Sequence, residues 1–164
     1  MSFKYWSLGL AASLSLFAAH ASAQNAEIAF GDLNQDTTLP VEVQADQLAV
    51  NNADGTAIFS GNVRVVQGEM VMAAGEVLVK YGTDQKSIDQ LVASGGVTIT
   101  NLGDAAEAKE AVYTIDSGVI VLSGDVLLTQ GPSAMAGQKL TIDLKAGTGV
   151  MEGRVTTTFV PGGN

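Results

Sequence analysis

The chain is 164 residues long with a formal net charge of −9, and no Cys is among its residues. So acidic a chain is repelled by a phosphate backbone, and with no basic patch to offset this, no nucleic acid is expected as a partner. The lack of Cys excludes disulfides and thiolate chemistry, and stability must come from packing and backbone hydrogen bonds.

The first 23 residues read as a cleaved secretory signal peptide. They hold a positive Lys4, an apolar run of 12 from Leu8 to Ala19, and the small-x-small site Ala21-Ser22-Ala23. That run is short of the roughly 20 residues a spanning helix needs. Cleavage leaves 141 residues starting near Gln24, enough for one domain, with 7 basic residues against 17 acidic ones and a net charge of −10. His20 and Trp6 leave with the signal, so the mature chain has no histidine base and no His or Cys metal site. No cofactor and no catalytic residue is expected. Asp32 with Asp36, and Asp104 with Glu107 and Glu110, lack the dense alternation of a calcium loop and read as solvated charge, so no metal is expected either.

Residues 24–39 are polar, show no period and stop at Pro40, which predicts a mobile leader before a domain over 40–164. Val41, Val43, Leu48 and Val50 open the first strand, interrupted near Gln44 to Asp46, and Asn51-Asn52-Ala53-Asp54-Gly55 is a turn. Segments rich in Val, Ile, Leu and Thr with period two predict strands near 41–50, 56–66, 69–80, 88–100, 106–116, 118–129, 134–145 and 149–160. The stretch Ala105 to Val112 has helical propensity, but the repeat register runs through it and strand is expected there.

The repeat has two marks. One is a Gly-x-Val step: Ser60-Gly61-Asn62-Val63, Ser94-Gly95-Gly96-Val97, Ser123-Gly124-Asp125-Val126 and Glu152-Gly153-Arg154-Val155. The other is a small residue three before an apolar one: Ala45/Leu48, Ala74/Val77, Ala108/Ala111 and Gly137/Leu140. The marks alternate at 14 and 15 residues, a unit of 29, broken once by an insertion of five around Tyr81 to Lys86. Such a period predicts a stacked β array. Gly55, Gly118 and Gly147 each fall seven residues after an apolar mark, so one turn with a positive φ is expected in each copy. A second turn lies at Gly68 and Gly131, with Leu102-Gly103 in that place, the glycine one residue late.

Period two puts Phe59, Val63 and Val65 on one face, followed in later copies by Ala93, Val97 and Ile99, by Leu122, Val126 and Leu128, and by Met151, Val155 and Thr157. Leu48, Val50, Val77, Val79, Ala111, Tyr113, Leu140 and Ile142 are expected to face them from an opposite sheet. On periodicity alone such an interior is what any β sandwich needs to fold. Its aliphatic character, with Met70, Met72, Met135 and Met151, also suits a surface that fits flexible chains.

The export signal followed by ADQLAVNN, GTAIFSGNVRVVQGEMVMAAGEVLVKY, LSGDVLLTQ and GQKLTIDLKAGTG resembles the OstA-like family over about Pro40 to Val160. The resemblance implies an all-β, solenoid-like, open twisted β jelly roll whose two facing sheets form a groove. It implies a non-enzymatic periplasmic protein that binds lipopolysaccharide and bridges an inner-membrane LptC-like protein and an outer-membrane LptD-like translocon, with head-to-tail self-association through its end strands. The acyl-chain groove would then be lined by Leu48, Val50, Phe59, Val63, Val65, Val77, Val79, Val97, Ile99, Leu122, Val126, Leu128, Leu140, Ile142, Met151 and Val155. The cleavable signal and the lack of a further apolar run fit the free periplasmic members of the family. The alternative is a ligand-free structural β-solenoid of the envelope; a hydrolase ranks last, for want of a histidine.

Overall fold

The computed structural model describes the backbone of residues 26–29 and, with their side chains, residues 35–84 and 86–159. Among them are 12 strands and no helix. They are β1 (Ala26–Ala29), β2 (Glu42–Gln44), β3 (Gln47–Asn51), β4 (Thr56–Gln67), β5 (Met70–Tyr81), β6 (Ile88–Asn101), β7 (Asp104–Ala108), β8 (Glu110–Thr114), β9 (Val119–Gln130), β10 (Ser133–Asp143), β11 (Thr148–Glu152) and β12 (Thr156–Thr158). Every pairing is antiparallel.

Both marks of the repeat are sides of one bend. At Gly61-Asn62 and again at Gly95-Gly96, two residues lie opposite the single Gly75, and at Gly124-Asp125 two residues lie opposite Gln138. Two residues against one make a bulge, which bends the strand and adds twist. Both bulge residues are left-handed in all four copies: φ is 78° and 48° at Gly61 and Asn62, and 83° and 49° at Gly153 and Arg154. In three of the copies a side chain at the first of them has no room: a Cβ would lie 2.6 Å from an Asp46 oxygen at Gly61, 2.9 Å from Lys109 at Gly124 and 2.7 Å from the Gln138 Cβ at Gly153. The small-residue mark supplies the facing side: Ala74 pairs with Val63 and Val97, Ala108 with Val97, and Gly137 with Val126. A Cβ on Gly137 would come within 2.7 Å of the Met151 sulfur, so smallness there lets the bent strands close on each other.

The bends divide the sheet into two walls. The first contains β1, β3, β8, β11 and residues 56–60, 76–81, 88–94, 119–123 and 139–143 of the long strands. The second contains β2, β7, β12 and residues 63–67, 70–74, 97–101, 126–130 and 133–137. One apolar core, from Ala57 to Met151, fills the space between them.

This architecture is the all-β array expected, with several corrections. The Ala105 to Val112 stretch is strand, broken at Lys109, where the backbone N–H turns to the carbonyls of Ser123 and Gly124. The expected strand over 149–160 is two pieces, β11 and β12, because the fourth Gly-x-Val step bends it. Within the leader, Ala26–Ala29 pairs with β11 and Gln35 donates its N–H to the Leu144 carbonyl, so these residues join the fold, contrary to a leader mobile throughout. The signal peptide, Asp32, Val160 and the Gly162-Gly163 tail lie outside the described residues.

Candidate functional site

The interior is laid out in rows set by the registers. In the first wall one row runs Leu48, Phe59, Val77, Ala93, Ala111, Leu122, Leu140, Met151, and the next runs Val50, Ala57, Val79, Leu91, Tyr113, Ile120, Ile142. In the second wall Val63, Ala74, Val97 and Ala108 form one row, and Val43, Val65, Met72, Ile99, Ala106, Leu128 and Met135 another. The expected division of the faces is therefore corrected. Phe59, Ala93, Leu122 and Met151 share a wall with Val77 and Leu140, and not with Val63 and Val126. Period two holds on each side of a bulge, but the bulge carries the strand into the other wall, so residues four apart across it face one another.

Of the sixteen candidate groove residues, Val63, Val65, Val77, Val79, Val97, Ile99, Leu122, Val126, Leu128, Leu140, Ile142 and Met151 are each 4% exposed or less. Phe59 and Val155 are half-buried at the ends. Leu48 and Val50 depart from the expectation of an enclosed lining: they are 56% and 60% exposed. They continue the interior rows on β3, the last strand of the first wall among the described residues. Ala57, Leu91, Ile120 and Met72 are interior residues that the candidate set missed. All four lie within the expected strands and keep the alternation, one step of two along from the repeat marks on which the candidate set was built.

Among the described residues the interior is filled by buried side chains of both walls. An apolar slit lined by Ile99, Asn101, Asp104, Ala105, Ala106, Leu128 and Ile142 has a volume of about 10 Å³, room for a single water at most. It lies at the mouth, where Ile142 of the first wall meets the second.

A polar cluster spans the same mouth and had no signal in the sequence. Gln67, 1% exposed at the end of β4, accepts at Oε1 from the Tyr113 hydroxyl at 2.7 Å. Its Nε2 donates to the carbonyls of Thr37 at 3.1 Å and Leu39 at 3.0 Å, and its backbone carbonyl accepts from Gln35 Nε2. Tyr113 lies in the first wall and Gln67 in the second, so residues 35–39 and this hydrogen bond tie the two lips together. Burial pushes the Tyr113 hydroxyl up to about 12, against the smaller opposing effect of its bond to Gln67. On the outside of the bends Lys109 pairs with Asp125 at 2.6 Å and Lys139 with Glu152 at 3.0 Å. These pairs are largely exposed and screened, so they add little. Among the described residues no group of three or more His, Cys, Asp or Glu is placed to hold a metal ion.

Residues 42–148 match the family described as LptA/(LptD N-terminal domain) LPS transport protein. An uncharacterized protein of Rhizobium meliloti (strain 1021) is 29% identical over 164 residues, covering 93% of this chain and 87% of its own. The lipopolysaccharide export system protein LptA of Escherichia coli (strain K12) is 27% identical over 138 residues, covering 77% of this chain and 74% of its own. LptH of Pseudomonas aeruginosa, described as the LptA-homologous periplasmic component of a lipopolysaccharide transport device, superposes with a TM-score of 0.69. That match covers 77% of this chain and 99% of LptH at 20% identity.

Proposed function

The chain belongs to the LptA/LptD N-terminal-domain family of LPS transport proteins, and from that premise we propose that it carries lipopolysaccharide through the periplasm with the acyl chains between its walls. Its family is one of transport proteins, not enzymes. The observation that supports the reading most is the run-out of the interior at one end, where the apolar rows continue into the exposed Leu48 and Val50 on β3, an edge strand among the described residues. A trough that ends in exposed apolar residues suits cargo passed from one molecule to the next. An acyl chain gains about 0.8 kcal/mol per CH₂ removed from water, so a chain of about a dozen carbons gains on the order of 10 kcal/mol. Free in the aqueous periplasm it would not travel, whereas a wall of Phe59, Val63, Val126 and Leu140 replaces the bilayer for it.

The finer role is a bridge. The edge of β3 leaves backbone groups unpaired, which is a template for a strand of another chain. Head-to-tail contacts through such edges propagate as filaments, and the same edge serves for pairing with an inner-membrane LptC-like protein or an outer-membrane LptD-like translocon. Depletion of the protein in its own bacterium tests this directly: newly made lipopolysaccharide should accumulate at the inner membrane, and unchanged arrival at the cell surface would refute the proposal.

The filled interior favours a second reading, a ligand-free structural β-solenoid of the envelope. The two separate on purified mature protein extracted from membranes: lipopolysaccharide that co-purifies in a fixed ratio and is lost in Phe59→Asp belongs to the carrier, and a lipid-free protein belongs to the solenoid.

A further inference from the structure

We propose that residues 35–39, with the Gln67–Tyr113 hydrogen bond, are a latch on the mouth between the two walls, and that an acyl chain starts in at the slit beside Ile142. The inference rests on the carrier reading and names where its cargo gets in. The slit beside Ile142 holds a single water at most and the apolar side chains around it are buried, so the walls must part there for a chain to enter. Parting them exchanges side-chain contacts for contacts with the acyl chain, apolar for apolar, at little net change in exposed area. Polar groups are different, because a chain of CH₂ units cannot replace a hydrogen bond, and a buried group left without a partner is costly.

The polar groups that cross the mouth are concentrated in this cluster. Gln67 uses its side-chain oxygen on Tyr113 of the opposite wall and its side-chain nitrogen on the backbone of Thr37 and Leu39. The strap is tied in turn to the first wall through the Gln35 N–H and the Leu144 carbonyl at 3.1 Å, and to the second through Gln35 Nε2 and the Gln67 carbonyl. One strap thus holds both lips. Beside it, Ile142 faces Ile99 and Leu128 across an apolar slit that needs only a small separation to widen. The barrier to opening is therefore set by a few hydrogen bonds at one place, and not by the whole core.

The test uses the mature chain and dodecanoic acid carrying an environment-sensitive fluorophore. Tyr113→Phe leaves the Gln67 oxygen without its donor, and Gln67→Leu removes the hub. Both are expected to speed uptake and release of the probe about tenfold, while Arg64→Ala on the outer face leaves the rates unchanged. In the unsubstituted protein, binding should accelerate hydrogen exchange at the Gln35 amide and leave the Val77 and Leu122 amides protected, a readout that loss of stability alone would not give and that needs no variant. Probe binding at equal rates in all proteins, with Gln35 exchange unaltered, overturns the latch and leaves the carrier reading standing. Failure of every protein, the opened variants included, to bind the probe overturns the carrier reading itself.

Discussion

At the scale of single residues, the turns show what a sequence can and cannot announce. Gly55, Gly118 and Gly147 have φ of 60°, 72° and 68°, the positive values expected from their place in the repeat. At the other turn the left-handed position, held by Gly68 and Gly131 in two copies, is Leu102 in the third, with φ 52° and a side chain 64% exposed. Its neighbour Gly103, which the pattern favoured, is not the left-handed residue. A branched side chain in that conformation costs about 1–2 kcal/mol, so Leu102→Asn is expected to stabilise the protein by about 1 kcal/mol, read as a higher urea midpoint with unchanged slope. Gly153→Ala should act oppositely. Its φ of 83° and the Gln138 Cβ at 2.7 Å together predict a loss of about 2 kcal/mol or more in the same titration. Tyr113 gives a pH signature. Its hydroxyl is raised from the ordinary value near 10 to about 12, so the folded state keeps a proton that the unfolded chain releases. The stability this represents is complete below pH 10 and falls by about 1.4 kcal/mol per unit between pH 10 and 12. Unfolding of the protein and of Tyr113→Phe, compared over that range, should show the steeper decline only in the protein with the hydroxyl. Tyr113 was legible as an interior residue, but its bond to Gln67 was not, because the two lie 46 residues apart and no spacing in the repeat links them.

At the scale of elements, the repeat was legible because its two marks are two sides of a bend that each copy must rebuild. The Gly-x-Val step is the bulge, and the small residue of the other mark faces it. What the alternation could not give is the wall each segment joins, since the bulge resets the pairing without disturbing the apolar rhythm. The β1 pairing was illegible for another reason: AEIA has too few residues to show a period. That pairing covers β11, and among the described residues β3 is an edge of the first wall. Leu48→Asp with Val50→Asp is therefore expected to weaken self-association at least tenfold by sedimentation. Both side chains are already more than half exposed, so the thermal midpoint should move little. Equal weakening of fold and assembly would place these residues in the core instead.

At the scale of the whole molecule, two bent walls enclose one apolar interior, tied across the mouth by the Gln67 cluster and continued on β3 by Leu48 and Val50. The interior residues were legible almost completely from alternation. Whether the walls stand apart was not, because a packed core and an open groove demand the same side chains. The most direct test of cargo between the walls is a photo-crosslinker placed at Phe59, Val126 or Leu140, or at Arg64 on the outside, in cells making lipopolysaccharide. Adducts with lipopolysaccharide at the three interior positions and none at Arg64 are the expected result; adducts at Arg64 with none inside would contradict the account.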